Sequence, residues 1–257
     1  MGHLDHAAYG RLTPALSHAM ASVGAALGLR CTVRALATTG AARRNRLLTA
    51  ASALGTGIWT MHFVATLGSH VTGTEIRHDV PLMTLLGLVA AVVVVGAGVL
   101  AVGYGQGRGS ALAVGGLTTG LGVAGMHHLG MAALRLHGSV SHDAAAVALS
   151  VAVAAATAAL WAALHTRTPA AVAVASLVVG AAVSSMHNTG MAAVAVRVVP
   201  SDRALPGATA MRFVFPLAVG LGSYLFLTAA FVALSPTAAG PAGAPSGPAA
   251  TPAAAAR

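Results

Sequence analysis

Long apolar segments that are almost free of charged residues recur along this chain, and they constrain its fold more than any other feature. Only 7% of the 257 residues are Asp, Glu, Lys or Arg, whereas an average soluble domain carries about 25%. An apolar helix of about 20 residues is long enough to cross the hydrocarbon core of a bilayer. The sequence therefore predicts an integral membrane protein surrounded by lipid, because so few charges cannot cover a water-soluble surface.

The apolar segments between polar breaks predict seven transmembrane helices and an all-α fold. The predicted helices cover residues 12–36, 47–69, 80–103, 111–135, 144–165, 170–196 and 212–234. Residues 12–234 then form one membrane domain that follows an extracytoplasmic N-terminus at residues 1–11. Residues 235–257 consist mainly of Ala, Pro and Gly, so this cytoplasmic tail is predicted to be disordered.

The arginines predict the orientation of the chain in the membrane. All 14 basic residues are Arg. When successive loops are placed on alternate sides, eight of them lie on one side, whereas the other six share the opposite side with all five acidic residues. Because arginine-rich loops stay in the cytoplasm, we expect the N-terminus outside and the C-terminus inside a cell inner membrane.

The formal net charge of +9 raises the question of a nucleic-acid partner. Such binding needs a solvated basic face, usually with aromatic side chains that stack on bases. Here the arginines are mostly isolated between apolar segments, and the single cluster is Arg43, Arg44 and Arg46. The pattern therefore argues against a nucleic-acid partner.

The single cysteine, Cys31, excludes an internal disulfide framework and a four-cysteine zinc site.

A Met-His pair recurs on the second, fourth and sixth predicted helices. The pairs are Met61-His62, Met126-His127 and Met186-His187, spaced 65 and 60 residues apart. That spacing equals about one pair of helices, so the sequence predicts an internal repeat of helical hairpins. Because the three helices run in the same direction, the pairs are expected at similar depth near the outer face.

Three histidines at one depth in a bilayer indicate a binding site, because an ionisable side chain in lipid is costly. Met131 and Met191 each follow a histidine by four residues and share its helix face. Imidazole and thioether ligands together favour copper, whereas zinc more often takes cysteine or carboxylate. The alternative is a metal-free structural bundle, in which the histidines form hydrogen bonds between helices and the methionines fill gaps.

These motifs resemble the MHYT domain, a bacterial integral membrane module, and the resemblance covers residues 12–234. It implies a sensor of oxygen, carbon monoxide, nitric oxide or redox state that acts through bound copper and is not itself an enzyme. The ligands that it implies are Met61, His62, Met126, His127, Met131, Met186, His187 and Met191.

The chain departs from the family pattern in two ways. Thr66 replaces the second methionine of the first copy, so one thioether is missing. No copy has a tyrosine after its histidine, since the residues there are Phe63, His128 and Asn188.

Members of the family often carry an enzymatic domain after the membrane unit, so we expect this chain to act on a separate output protein. A copper carrier or a copper oxidoreductase is the second hypothesis for its function.

Overall fold

A computed structural model describes residues 4–234, apart from 6–11, 68, 72–73, 79–80, 106, 143–144, 167, 200, 202, 210 and 213. The described residues form seven helices, so the predicted all-helical class is confirmed. The helices are α1 (Leu12–Leu36), α2 (Gly40–Leu67), α3 (Pro81–Tyr104), α4 (Arg108–Ala132), α5 (Ala145–His165), α6 (Pro169–Ala192) and α7 (Val214–Leu234). Most of the predicted N-terminal segment and the whole predicted tail lie outside the described residues.

Five of these helices are long and apolar enough to cross a membrane, namely α1, α2, α3, α4 and α6. The apolar stretches described in the other two are shorter, Leu149–His165 in α5 and Phe215–Ala229 in α7. Seven complete crossings, and residues 12–234 as one membrane domain, therefore stay predictions.

The helix bounds agree with the predicted segments to within a few residues, except where polar residues extend or end a helix. Helix α2 begins seven residues early and takes in the arginine cluster, because arginine is a good helix former. From that cluster, Arg43 Nε donates to Thr38 O at 2.7 Å and Arg46 Nη1 donates to Arg34 O at 3.1 Å. These bonds satisfy carbonyl groups at the end of α1 and stabilise the short connection between α1 and α2.

Helices α1 to α6 form a closed ring in which each helix packs against the next and α6 packs against α1. Helix α7 packs outside the ring, against α1 and α2. The hairpins α1–α2, α3–α4 and α5–α6 therefore surround one axis as three similar units. This arrangement is the one expected of a hairpin repeat.

Glycines at equivalent positions bring these hairpins together. A Cβ atom on Gly55, Gly120 or Gly180 would meet the backbone of the next hairpin's first helix. The residues that it would meet are Val92 in α3, Val153 in α5 and Ser22 in α1. Small residues allow such close approach of helices in lipid. The three hairpins therefore resemble one another in their helix contacts as well as in the spacing of their Met-His motifs.

Short antiparallel strands, which the sequence analysis did not predict, lie at the end of the bundle where α2, α4 and α6 end. Three two-stranded sheets form there, β1 (Leu4–Asp5) with β2 (His70–Val71), β3 (Arg77–His78) with β4 (Leu134–Arg135), and β5 (Gly138–His142) with β6 (Val194–Val198). The β3–β4 and β5–β6 sheets each join the connections of two different hairpins. They therefore tie the ends of the three repeats together.

Candidate metal centre

The three repeated histidines lie at the same depth and meet on the axis of the bundle. His62, His127 and His187 each lie five residues before the last residue of their helix. Their side chains are buried, with 1%, 1% and 3% of the residue surface exposed. The sequence prediction that these three residues converge is confirmed.

The Nδ1 atoms of the three rings point toward one another. His62 Nδ1 lies 3.1 Å from His187 Nδ1 and 3.3 Å from His127 Nδ1. The ring centroids are 5.0 to 5.3 Å apart, and each pair of rings is nearly perpendicular. The rings thus form an almost regular triangle with one nitrogen of each at its centre. One ligand atom from each histidine lies within 4.8 Å of the others.

This geometry suits a metal ion bound by three imidazoles. With metal–nitrogen bonds of about 2.0 Å, a planar three-coordinate centre places its nitrogens about 3.5 Å apart. The two distances around His62 Nδ1 are slightly shorter than that value. A neutral imidazole nitrogen carries either one hydrogen or one lone pair. His62 Nδ1 therefore cannot form full hydrogen bonds with both neighbours, whereas a cation would accept all three lone pairs.

The opposite edges of the His62 and His127 rings pack against the next repeat. His62 Nε2 lies against Gly130 and has no hydrogen-bond partner in the part of the chain described. His127 Nε2 lies against Gly190. Each glycine follows the histidine of its own repeat by three residues. The equivalent residue of the first repeat is Ala65, so the third contact differs from the other two.

A cavity of about 300 Å³ lies at this irregular position, between α1, α2 and α6. Its lining includes Ser17, Ala65, His187 and Met191, and it extends to the exposed residue Asn188. The cavity therefore connects buried His187 with the end of the bundle. A small ion or molecule has a path to the triad there.

The predicted methionine ligands are all buried but occupy different surroundings. Met61, Met126 and Met186 belong to the main apolar core. Met191 shares the 300 Å³ cavity with His187, whereas Met131 lines a second cavity with His128. Binding of copper by these thioethers stays a prediction.

The two departures from the family pattern have local structural consequences. Thr66 donates its hydroxyl hydrogen to Phe63 O at 2.9 Å, a helix-internal bond that occupies the side chain. His128 lies outside the group of three converging ligand atoms, with its ring centroid 5.7 Å from that of His127. Neither residue extends the triad among the residues described.

Trp59 fixes the wall of the site on the side of α3. The indole is fully buried and its Nε1 donates to Thr84 O at 3.0 Å. Its ring packs on Phe63 with centroids 4.3 Å apart. The hydrogen bond joins α2 to α3 beside His62, whereas the aromatic contact lies within α2 and orients the indole.

His78, in the connection between α2 and α3, is a fourth fully buried histidine among the described residues. It is 2% exposed, and neither ring nitrogen has a hydrogen-bond partner in the described structure. Burial lowers the pKa of His78 to about 4. The backbone of His78 forms two hydrogen bonds with the backbone of Ala208, of 2.9 and 3.0 Å. These bonds join two distant loops beside the ring. No local signal indicates this burial, because it arises from contacts between distant loops.

Comparison with known proteins identifies the repeat. A profile of the MHYT family, described as a bacterial signalling protein N-terminal repeat, matches residues 55–115 and 120–176. The two matches begin at Gly55 and Gly120, which are the equivalent glycines of the first two repeats. Gly180 has the same position in the third.

Two curated proteins of Pseudomonas aeruginosa are similar to this chain. The bifunctional diguanylate cyclase/cyclic di-GMP phosphodiesterase MucR is 36% identical over 154 residues, which cover 57% of this chain and 22% of MucR. The cyclic di-GMP phosphodiesterase NbdA is 34% identical over 157 residues, which cover 56% of this chain and 19% of NbdA. The chain thus spans about a fifth of the length of these relatives. No solved structure matches it.

Proposed function

The chain belongs to the MHYT family of bacterial membrane signalling modules, and we propose that it senses a diatomic gas or redox state through copper held by His62, His127 and His187. Oxygen, carbon monoxide and nitric oxide are the candidate gases. The observation that carries this proposal is the convergence of three buried Nδ1 atoms on one point.

The chemistry of the donor set supports copper. Neutral imidazole binds either oxidation state of copper, and thioether sulfur favours Cu(I). Cysteine and carboxylate do not take part in the converging group among the described residues. We propose Met61, Met126, Met131, Met186 and Met191 as the additional thioether ligands or close neighbours of the ion.

Bound copper would supply a coordination position for a diatomic ligand and a one-electron redox couple. The three imidazoles come from three different helices, so a change in their spacing shifts the ends of α2, α4 and α6 relative to one another. The β3–β4 and β5–β6 sheets pass such a shift between the hairpins. A ligand that favours one arrangement over the other would bias an output protein.

The names of the relatives suggest the kind of output. Both printed names refer to enzymes of cyclic di-GMP, and we propose that this membrane unit passes its signal to an enzyme of that class. We place the histidine end of the bundle at the outer face of a cell inner membrane, with the N-terminus outside. The arginine cluster at the other end of α2 supports this orientation.

A copper carrier is the alternative, and the residues beneath the triad argue against it. Ile58, Val123 and Val183, each one helical turn before a histidine, are apolar and buried. A carrier would need ligands that continue toward the other end of the bundle. The observed surroundings favour a site that retains its ion.

The proposal is tested by measuring copper in the purified protein by mass spectrometry. We expect stoichiometric copper in the wild type and its loss in the triple variant His62→Ala, His127→Ala, His187→Ala. The control is His165→Ala, because His165 is exposed at the far end of α5. Equal copper in the wild type and the triple variant would refute copper sensing by this triad. If copper is present, unchanged spectra with carbon monoxide and nitric oxide would refute binding of these two gases.

A further inference from the structure

A third cavity, of about 40 Å³, lies inside the bundle below the histidine triad. Two sets of equivalent residues line it, and each set contributes one residue from every repeat. Ile58, Val123 and Val183 lie four residues before the three histidines, and Leu54, Thr119 and Val179 lie eight residues before them. Helices α3 and α5 supply most of the other lining residues, and we call this space below the triad the axial cavity.

The lining makes the axial cavity apolar. Thr119 supplies its single hydroxyl group, and that oxygen is buried and has no hydrogen-bond partner in the described structure. A buried water normally needs two to four polar partners. One hydroxyl is too few, so the cavity is expected to be dry.

Two features connect the axial cavity with the triad. Met186, which directly precedes His187, forms part of its wall. A rise of 1.5 Å per residue places the nearer set of lining residues about 6 Å from the histidines along the helices. Alanines on α5, among them Ala155 and Ala156, leave the space open where larger side chains would fill it.

We infer that the axial cavity binds one small apolar gas molecule, of the size of a diatomic, directly beneath the metal centre. Apolar solutes leave water for apolar surroundings, and an engineered dry cavity of about 150 Å³ binds benzene or xenon. A volume of about 40 Å³ exceeds the roughly 10–15 Å³ that one water molecule needs, so it has room for one diatomic molecule or one xenon atom. The gas-sensing role of this cavity rests on the proposed function, whereas the binding of an inert gas does not.

Xenon binding to the copper-free protein in nanodiscs tests this inference, with the ¹²⁹Xe chemical shift as the readout. We expect a bound xenon signal in the wild type that is lost in Ala155→Leu, which fills the cavity. The matched control is Ala158→Leu, because Ala158 is on the same helix but exposed. Absence of bound xenon in the wild type, or equal binding in the wild type and Ala155→Leu, would overturn the inference.

Two further variants keep the test decisive if Ala155→Leu fails to fold. Ala156→Val adds less volume and is expected to weaken xenon binding, whereas Val99→Ala enlarges the cavity and is expected to strengthen it. Unchanged binding in both variants would refute the location.

Copper content separates this inference from the proposed function. If the protein binds xenon but is purified without copper, the cavity inference stands and the proposed copper sensor is refuted. If the protein is purified with copper but does not bind xenon, only the cavity inference is refuted. In the copper-loaded protein, Ala155→Leu is expected to slow the binding of carbon monoxide by about tenfold, equivalent to about 1.4 kcal/mol in the activation free energy, with copper content unchanged.

Discussion

The imidazole of His62 lies against Gly130, the residue three positions after the histidine of the next repeat. A methyl group on that glycine would overlap the ring at Nε2. Gly190 has the same relationship to His127. Gly130 and Gly190 therefore have a steric function, because each makes room for the histidine ring of the preceding repeat.

Replacing Gly130 with alanine is expected to displace His62 and weaken copper binding. Forcing a methyl group into a packed core usually costs about 1 to 3 kcal/mol, and here the side chain that must move is one of the proposed ligands. Copper affinity measured by competition with a chelator should fall in Gly130→Ala. The control is Gly125→Ala on the same helix, where an added Cβ meets nothing within 4 Å. Wild-type affinity in both variants would show that the ring position does not depend on this contact.

Trp59→Phe is expected to destabilise the bundle. The substitution removes the bond from Nε1 to Thr84 O and leaves space in a fully buried position. The lost hydrogen bond and the cavity together should cost about 1 to 3 kcal/mol. The midpoint of thermal unfolding in detergent measures the effect. Trp161→Phe should leave the midpoint almost unchanged, because Trp161 is 53% exposed; equal shifts in the two variants would contradict the assignment.

The sequence predicts the helices and the triad well, for physical reasons that are local or periodic. Apolar length alone marks the seven helices, and the spacing of His62, His127 and His187 indicates a shared depth. The burial of His78 and the room provided by Gly130 could not be predicted, because both depend on contacts between distant segments. The strands that join the hairpins are too short to leave a periodic pattern.

Stability is expected to decrease as the pH falls from about 6.5 toward 4, because of His78. Its pKa is about 4 in the folded protein, whereas an unfolded histidine titrates near 6.5. Between these values the unfolded chain binds more protons, so the free energy of unfolding falls by up to about 1.4 kcal/mol per pH unit. Unfolding midpoints across this range should show a shallower pH dependence in His78→Phe than in the wild type. In His70→Phe, at an exposed position of the same connection, the wild-type slope should persist.

Removal of copper should lower the stability of the wild type but not that of the triple histidine variant. A ligand that binds only the folded state at 100 times its dissociation constant adds about 2.7 kcal/mol. The unfolding midpoint should therefore rise when copper is added to the chelated wild-type protein. An equal rise in the triple variant would locate the stabilising ion elsewhere.

Thr66→Met should strengthen Cu(I) binding if the second methionine of each repeat is a ligand. Thr66 occupies the position equivalent to Met131 and Met191, and its hydroxyl is engaged with Phe63 O inside its own helix. A thioether there would complete a set of three, and soft sulfur ligands favour Cu(I) over Cu(II). We expect Cu(I) affinity to rise by roughly tenfold, or about 1.4 kcal/mol, with a higher reduction potential. Thr66→Val, which removes the hydroxyl without adding sulfur, serves as the control. A potential that is the same in both variants would argue that copper is held by imidazoles alone.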